Sequence, residues 1–239
     1  MDTHPPVAVL ILGAGRGERL GHELPKAFVP VLGRTLIERS IAALAKAEVF
    51  DVILPVLAAS DFDRYAALGI EAPGLLAPVE GGKERQDSMR AGLASLPPEI
   101  EWVAIHDAAR CLVQSVDLRA VVAAAYETGA ALLGERSRDT LKRVVNGQVV
   151  ETPDRAEYWA AQTPQVARRD WLEAAAAQAT AEGRLGTDDA QLVEWLGKPV
   201  AMVESVGPNP KITRPEDLLL AEAILSAADA SRDRREGAE

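Results

Sequence analysis

Between Ile11 and Phe28 the chain reads ILGAGRGERLGHELPKAF. Three alternating glycines, two arginines and a Pro-Lys pair follow a strand-like run from Val7 to Leu12. Glycine amides and cations together suit a polyphosphate, because bare backbone N–H groups and positive charge both favour anions. The spacing fits neither common fingerprint. A dinucleotide G-x-G-x-x-G needs glycine at position 18 or 20, where Glu18 and Leu20 stand. A P-loop needs Gly-Lys-Ser/Thr, whereas Lys26 lies between Pro25 and Ala27. Two further stretches could serve the same kind of ligand. In GGKERQDS, Gly81 and Gly82 allow close backbone approach and Ser88 offers a hydroxyl near a helix start; such a loop could hold a nucleobase or make only a tight turn. In HDAAR, Asp107 directly follows a strand and is a candidate Mg2+ ligand, direct or through water, or else a cap on the next turn.

Other chemistries fare poorly. His4, His22 and His106 are far apart, with no Cys or His partner at zinc spacing. No G-x-S-x-G elbow is present, and Cys111 sits in an apolar run as a small buried residue would.

These loops need a sheet to position them. The run VAVLIL reads as a buried first strand, and Thr35 with Glu38 makes a capping box before a helix. Asp51 to Leu57 is a second strand, with Pro55 suggesting a sheet edge or a strand end, and a third short strand is expected near Leu75 to Val79. GGKERQDSMRAGLASL becomes a helix with Met89, Leu93 and Leu96 on one face. A strand (WVAIHD), a helix (SVDLRAVVAAAYETG) and a strand at Ala130 to Leu133 follow. Later helices are expected around Asp170 to Glu182 and Asp188 to Leu196, with a strand at Val200 to Val203 between them and the end. Thr213 with Glu216, and Pro215 in the first turn, signals a last helix; the charged tail SRDRREGAE is expected to fray. In a parallel α/β sheet ligands sit at the carboxyl ends of strands, where all three loops fall.

The alternation breaks at residues 138 to 155, where TLKRVVNGQVVET carries a hairpin signal at Asn146-Gly147. A lone hairpin is marginal in water, so this arm, spanning about 138–158, is expected to embrace another subunit or fold back on its own domain. The expected fold is thus α/β: a Rossmann-like three-layer α/β/α sandwich on a mostly parallel sheet, one domain over 1–239, with the arm serving dimerisation.

The composition agrees. The 239 residues are 48% hydrophobic and 26% charged, with no low-complexity tract. A formal charge of −10 argues against broad nucleic-acid binding and makes Arg16, Arg19 and Lys26 a local cationic island. No run is long and apolar enough for a membrane span, the start lacks a signal peptide's basic residues, and a single cysteine fits a reducing cytoplasm.

In order, GAGRGERLGHELPKAF, GGKERQDSM, HDAAR, RDTLKR, AQTPQ, TDDAQLVE and KITRPEDLLLAE resemble the 2-C-methyl-D-erythritol 4-phosphate cytidylyltransferase family of the non-mevalonate isoprenoid pathway. The resemblance implies a Mg2+-dependent reaction of CTP with methylerythritol phosphate that releases pyrophosphate. It implies that Gly13, Ala14, Gly15 and Gly17 wrap the triphosphate, and that Arg19 and Lys26 stabilise charge on the α-phosphoryl and leaving groups; Arg16 is a weaker candidate. Gly82 and Ser88 would meet the cytosine, and Asp107 would hold Mg2+ or the sugar hydroxyls. Arg110, Thr163, Thr187 and Lys211 would surround the sugar phosphate, with Thr140 and Arg155 reaching it from the arm of a neighbouring subunit. Departures from the family pattern are few. Gly13 replaces an alanine and should loosen its loop slightly, Cys111 replaces a proline, and Pro208 and Pro210 displace an acidic and an aliphatic residue. Ribitol-5-phosphate cytidylyltransferase shares the same loops, but Ala109 before Arg110 favours the methylerythritol enzyme. A nucleotide-binding module without turnover is the alternative from another class, and the intact Arg19, Lys26, Asp107 and Lys211 set speaks against it.

Overall fold

A computed structural model describes residues 4–15, 20–22 and 24–236, with side chains up to Ala230. Its first strand, β1 (Val7–Leu12), is buried on both faces, which is why it reads as a continuous apolar run rather than an alternating one. A tight hairpin of β2 (Pro30–Val31) and β3 (Arg34–Thr35) leads into α1 (Leu36–Ala47). The capping box there is reciprocal: Glu38 N–H donates to Thr35 Oγ1 and Thr35 N–H donates to Glu38 Oε2 at 2.7 Å. Next come β4 (Val52–Leu57), the short α2 (Phe62–Ala66), β5 (Val79–Glu80), α3 (Arg85–Ser95), β6 (Trp102–Asp107), α4 (Ser115–Thr128) and β7 (Ala130–Arg136). The arm contributes β8 (Arg143–Val145) and β9 (Gln148–Glu151). The chain then returns through β10 (Trp159–Arg168), α5 (Arg169–Ala181), α6 (Asp189–Trp195), β11 (Ala201–Glu204) and α7 (Pro215–Glu236).

Seven strands form the central sheet in the order β11-β7-β10-β6-β1-β4-β5, and β10 alone runs antiparallel to its neighbours. Alternate residues of β1 face opposite layers. Val9 and Ile11 pack with Ile37, Ile41 and Leu44 of α1 and with Leu118 and Val121 of α4. Ala8 and Leu10 pack with Met89 and Leu93 of α3 and with Leu172 and Leu192 of α5 and α6. Each fully buried aliphatic of this kind contributes about 1.5–3 kcal/mol relative to exposure, so the sandwich rests on its two apolar layers. A third cluster joins Val31, Cys111, Leu112, Ile212 and Ala221, and clamps α7 beside the small β2–β3 hairpin.

The expected hairpin is present: Asn146 and Gly147 both adopt positive φ (49° and 78°), the pairing that a two-residue turn matched to strand twist requires. All residues of β8 and β9 are exposed, including Val144, Val145, Val149 and Val150. At the end of α4, Gly129 has φ 92°, and a Cβ there would stand 2.1 Å from the Trp171 ring, so the turn tolerates only glycine.

Several expectations need correction. The box at the last helix uses Asp217, not Glu216: its Oδ2 accepts N–H bonds from Thr213 at 2.7 Å and Arg214 at 2.8 Å, while the Thr213 hydroxyl donates back to Lys211 O. The backbone of the charged tail stays helical to Glu236. Pro55 lies inside β4, one strand from the edge. Parity with Ile53, which bonds outward to Gly74 and Leu76, turns its missing N–H toward the short outer partner rather than toward β1. That partner pairs as a strand only at Val79–Glu80, with a single bridge at Leu75. Finally, β10 went unrecognised, because AAQTPQ carries neither β-branched alternation nor an apolar run.

Candidate active site

Three loops leave the carboxyl ends of neighbouring strands side by side. Gly13 N–H donates to Val56 O and Ala108 N–H to Leu12 O, so the loops after β1 and β6 begin as extensions of the sheet. Gly81 N–H donates to Leu57 O and carries the third loop out beside them. Between them lies a cavity of about 290 Å3. Gly13, Ala14, Gly15 and Lys26 form one wall; Gly82 and Ser88 form a second; Asp107 and Lys211 complete it. Gly17, Arg19 and the weaker candidate Arg16 lie outside the described residues.

Gly13 N–H is fixed on the Val56 carbonyl at 2.9 Å. A methyl there would stand 2.8 Å from Leu57 Cδ2 and 3.3 Å from Ala27 Cβ, so neighbouring side chains already fill the space an alanine would take. Ser88 faces the cavity while its hydroxyl accepts the Gly82 N–H at 3.2 Å and so shapes the glycine turn. The segment after Asp107 is tied without a proline at 111: Arg110 N–H reaches Asp107 O and Ile212 N–H reaches Ala109 O, both at 2.9 Å.

Asp107 is the electrostatic centre. Its Oδ2 accepts from Lys211 Nζ at 2.8 Å, with Arg110 Nε at 3.8 Å, and its Oδ1 accepts from Arg85 Nη1. Burial alone would push this carboxyl up, but Arg85, then Lys211 and Arg110, outweigh it and hold the group well below the usual carboxylate range. Its backbone N–H donates to Thr163 Oγ1 at 3.0 Å. Arg110 donates to Asn209 O at 2.7 Å and to Ala161 O at 3.3 Å. Thr163, Arg110 and Lys211 therefore gather on Asp107.

The remaining expected residues lie apart. Thr187 is exposed and donates to Gln191 Oε1, one turn into α6. Thr140 and Arg155 sit on the arm; Arg155 Nη1 donates to Arg138 O at 2.7 Å, and neither residue lines the cavity. Two residues emerge that sequence reasoning missed. Arg85 lines the cavity and bridges Asp107 to Asp189. Asn209, 2% exposed, donates to Gln162 Oε1 and Thr163 O and so ties β10 to the Lys211 loop. A buried asparagine between Pro208 and Pro210 was the available signal for the second.

Among the described residues two carboxylates line the cavity, Glu84 just before α3 and Asp107 at the end of β6. No group of three His, Cys, Asp or Glu side chains is found among the described residues. That donor set fits Mg2+ in the manner of an ion held by one or two carboxylates, waters and substrate phosphates. A wider groove of about 700 Å3 lies at the opposite end of the sheet, but its arginines are spent: Arg168 pairs with Asp170 at 2.9 Å and Arg169 with Glu173 at 2.8 Å.

His106, next to Asp107, is wholly buried, and burial pushes its pKa from 6.5 down to about 4. Thr163 Oγ1, which accepts the Asp107 N–H, also lies 3.1 Å from His106 Nδ1 and so ties the ring to the end of β6. A depressed histidine pKa means that the unfolded chain binds the proton first. Stability is therefore expected to fall by about 3 kcal/mol as pH drops from 6.5 to 4, with the Asp107 contribution lost only below that window. Urea unfolding of the substrate-free protein checks this: His106→Gln should flatten the slope between pH 6.5 and 4, and an unchanged slope would locate the effect elsewhere.

A mostly parallel sheet whose glycine loop, three lysines and cation-held Asp107 line a cavity at its strand ends defines a nucleotide-handling transferase. The family model for IspD, 2-C-methyl-D-erythritol 4-phosphate cytidylyltransferase, matches residues 7–227, and the chain belongs to that family. It is 42% identical over 221 residues to the 2-C-methyl-D-erythritol 4-phosphate cytidylyltransferase of Symbiobacterium thermophilum, covering 92% of this chain and 93% of that one. With the enzyme of the same name from a Synechococcus species the identity is 44%, covering 92% and 97%. Among solved structures, the 2-C-methyl-D-erythritol 4-phosphate cytidylyltransferase of Thermus thermophilus superposes with a TM-score of 0.73 at 35% identity, covering 92% of this chain and 98% of that one. The 4-diphosphocytidyl-2C-methyl-D-erythritol synthase of Anaerococcus prevotii gives 0.83 at 27% identity, with the same coverage. No described helix is long and apolar enough to cross a membrane.

Proposed function

We propose that this chain transfers the cytidylyl group of CTP to 2-C-methyl-D-erythritol 4-phosphate, giving 4-diphosphocytidyl-2-C-methyl-D-erythritol and pyrophosphate. The observation that carries the reading is the convergence of the glycine loop, Lys26, Asp107 and Lys211 on one cavity at the strand ends. The sugar phosphate oxygen attacks the α-phosphorus in line with the departing pyrophosphate, so positioning and charge neutralisation do most of the work. Amides of the Gly13–Gly15 turn receive the triphosphate, and Arg19 and Lys26 answer charge as it builds. Ser88 and Gly82 take the cytosine edge and Lys211 takes the sugar phosphate, with Arg110, Thr163 and Thr187, which lie beyond the cavity lining, as its outer contacts. Asp107 would hold a Mg2+ ion that arrives with CTP and supplies charge neutralisation to the phosphates.

The same reading makes the active form a homodimer. A hairpin with four exposed valines finds no cover among the described residues of its own chain, and a second subunit would supply it. Thr140 and Arg155 would then act in the partner's cavity. A reducing, cytoplasmic setting suits the lone thiol: Cys111 is buried, and burial pushes its pKa up to about 11.

Pyrophosphate release tests the reading. CTP with methylerythritol phosphate should turn over far better than UTP, because a backbone-lined pocket matched to cytosine's amino group leaves a polar group unpaired against uracil, at about 1–3 kcal/mol. Equal rates with UTP would point to a broader nucleotidyltransferase, and preference for ribitol 5-phosphate would reassign the acceptor.

A further inference from the structure

The first residue of α3, Arg85, grips two buried carboxylates at once. Nη1 meets Asp107 Oδ1 and Nη2 meets Asp189 Oδ2 at 2.5 Å, joining residues 22 and 104 positions away in the chain. The planar fork of a guanidinium aims donors from two separate nitrogens at two acceptors, whereas an ammonium has all its donors on one nitrogen and needs acceptors that converge on it. Asp189 is itself fixed. It is 2% exposed and opens α6, where Asp188 caps the helix by accepting the Gln191 N–H at 2.9 Å. From β10, Gln165 donates to Asp188 Oδ2 at 3.0 Å and accepts the Ala190 N–H at 2.7 Å. The anchor is therefore rigid, and the side of Asp107 away from Lys211 is held by a residue that does not depend on substrate. Oδ2 is left to face Lys211.

We infer that Arg85 is a positioning residue for cytidylyl transfer: anchored by Asp189, it sets the Asp107 carboxylate in the orientation that Lys211 and the bound substrates require. The inference deepens the proposed function and rests on it. Arg85 acts through Asp107, and Asp189 acts through Arg85. The nucleotide loop at the start of α3, the acid at the end of β6 and the turn carrying Thr187 are thereby held to one another.

A double-mutant cycle in the full chain tests this. Arg85→Lys keeps the charge but places it on one nitrogen, where Arg85 uses two, and is expected to release one of the carboxylates. It is expected to lower kcat about tenfold with KM for CTP little changed, and to change the rate by less than about twofold when Asp107 is already asparagine. Asp189→Asn should repeat the pattern, and it stands in for Arg85→Lys if that variant melts below the assay temperature. Single-turnover rates with enzyme in excess keep slow backgrounds measurable. Mg2+–CTP affinity by calorimetry should stay within about twofold of the parent in Arg85→Lys, in keeping with the unchanged KM. Equal losses in the two Asp107 backgrounds, or parental kcat in Arg85→Lys, would overturn the inference and leave Arg85 acting directly or only in the fold. A parent chain without cytidylyl transfer would sink the functional reading itself; an active parent with an additive cycle sinks only the role of Arg85.

Discussion

Replacing Lys26 by methionine is expected to cut kcat by roughly a hundred- to a thousandfold while CTP binding weakens far less, since a preorganised cation counts most where charge develops. The structure supplies the preorganisation. Lys26 opens a 3-10 turn over Lys26–Phe28 whose Ala27 and Phe28 are each 2% exposed. Phe28 N–H donates to Pro25 O at 2.8 Å and closes the turn. The Lys26 backbone is thus pinned by core packing, and its side chain stands on the cavity wall beside Gly13–Gly15. Methionine keeps the stem and removes only the charge. Arg19→Ala should behave in the same way. Steady-state kcat set beside equilibrium CTP affinity checks both, and near-parental kcat in either variant would make that residue an ordinary surface cation.

Mixing two dead variants is expected to restore activity. Arg155 binds its own chain's Arg138 carbonyl and does not line its own chain's cavity, so a catalytic contribution from it requires another subunit's site. Homodimers of Arg19→Ala and of Arg155→Ala should each be nearly inactive, because every site lacks one arginine. In a mixed dimer both lesions fall in one site and leave the other complete. Random reassortment makes about half the dimers mixed, so roughly a quarter of all sites should recover after joint refolding, given two-fold symmetry. Exchange is confirmed with mass-tagged subunits. No recovery despite exchange would place Arg155 in its own chain's site or in none, and the dimer would lose its catalytic reason.

What the sequence made legible was whatever local chemistry decides. Asn146-Gly147 demanded positive φ at two successive residues, and Thr35 with Glu38 could satisfy each other within one turn. Where two acids competed for the same cap, spacing alone misled: Glu216 had the expected interval, but Asp217 reaches both Thr213 and Arg214. β10 was illegible for another reason. Its Gln-Thr-Pro-Gln centre has weak strand propensity, and pairing with β6 and β7 on either side overrides that. The loops of the site could be named in advance because glycines, cations and an acid stood at strand ends. The clamp on Asp107 could not, since Arg85 and Asp189 meet across 104 residues and no local pattern links them.

The central claim is that the sugar phosphate oxygen attacks the α-phosphorus of CTP in this cavity. Methylerythritol phosphate carrying 18O in its phosphate, incubated with CTP and the protein, tests it most directly by 31P NMR. The account predicts that 18O appears in the diphosphate of the cytidylyl product, at the bridge and on the sugar-side phosphorus, while the released pyrophosphate carries none. Label in the pyrophosphate, or formation of CMP and free sugar phosphate with no bridged product, would contradict it.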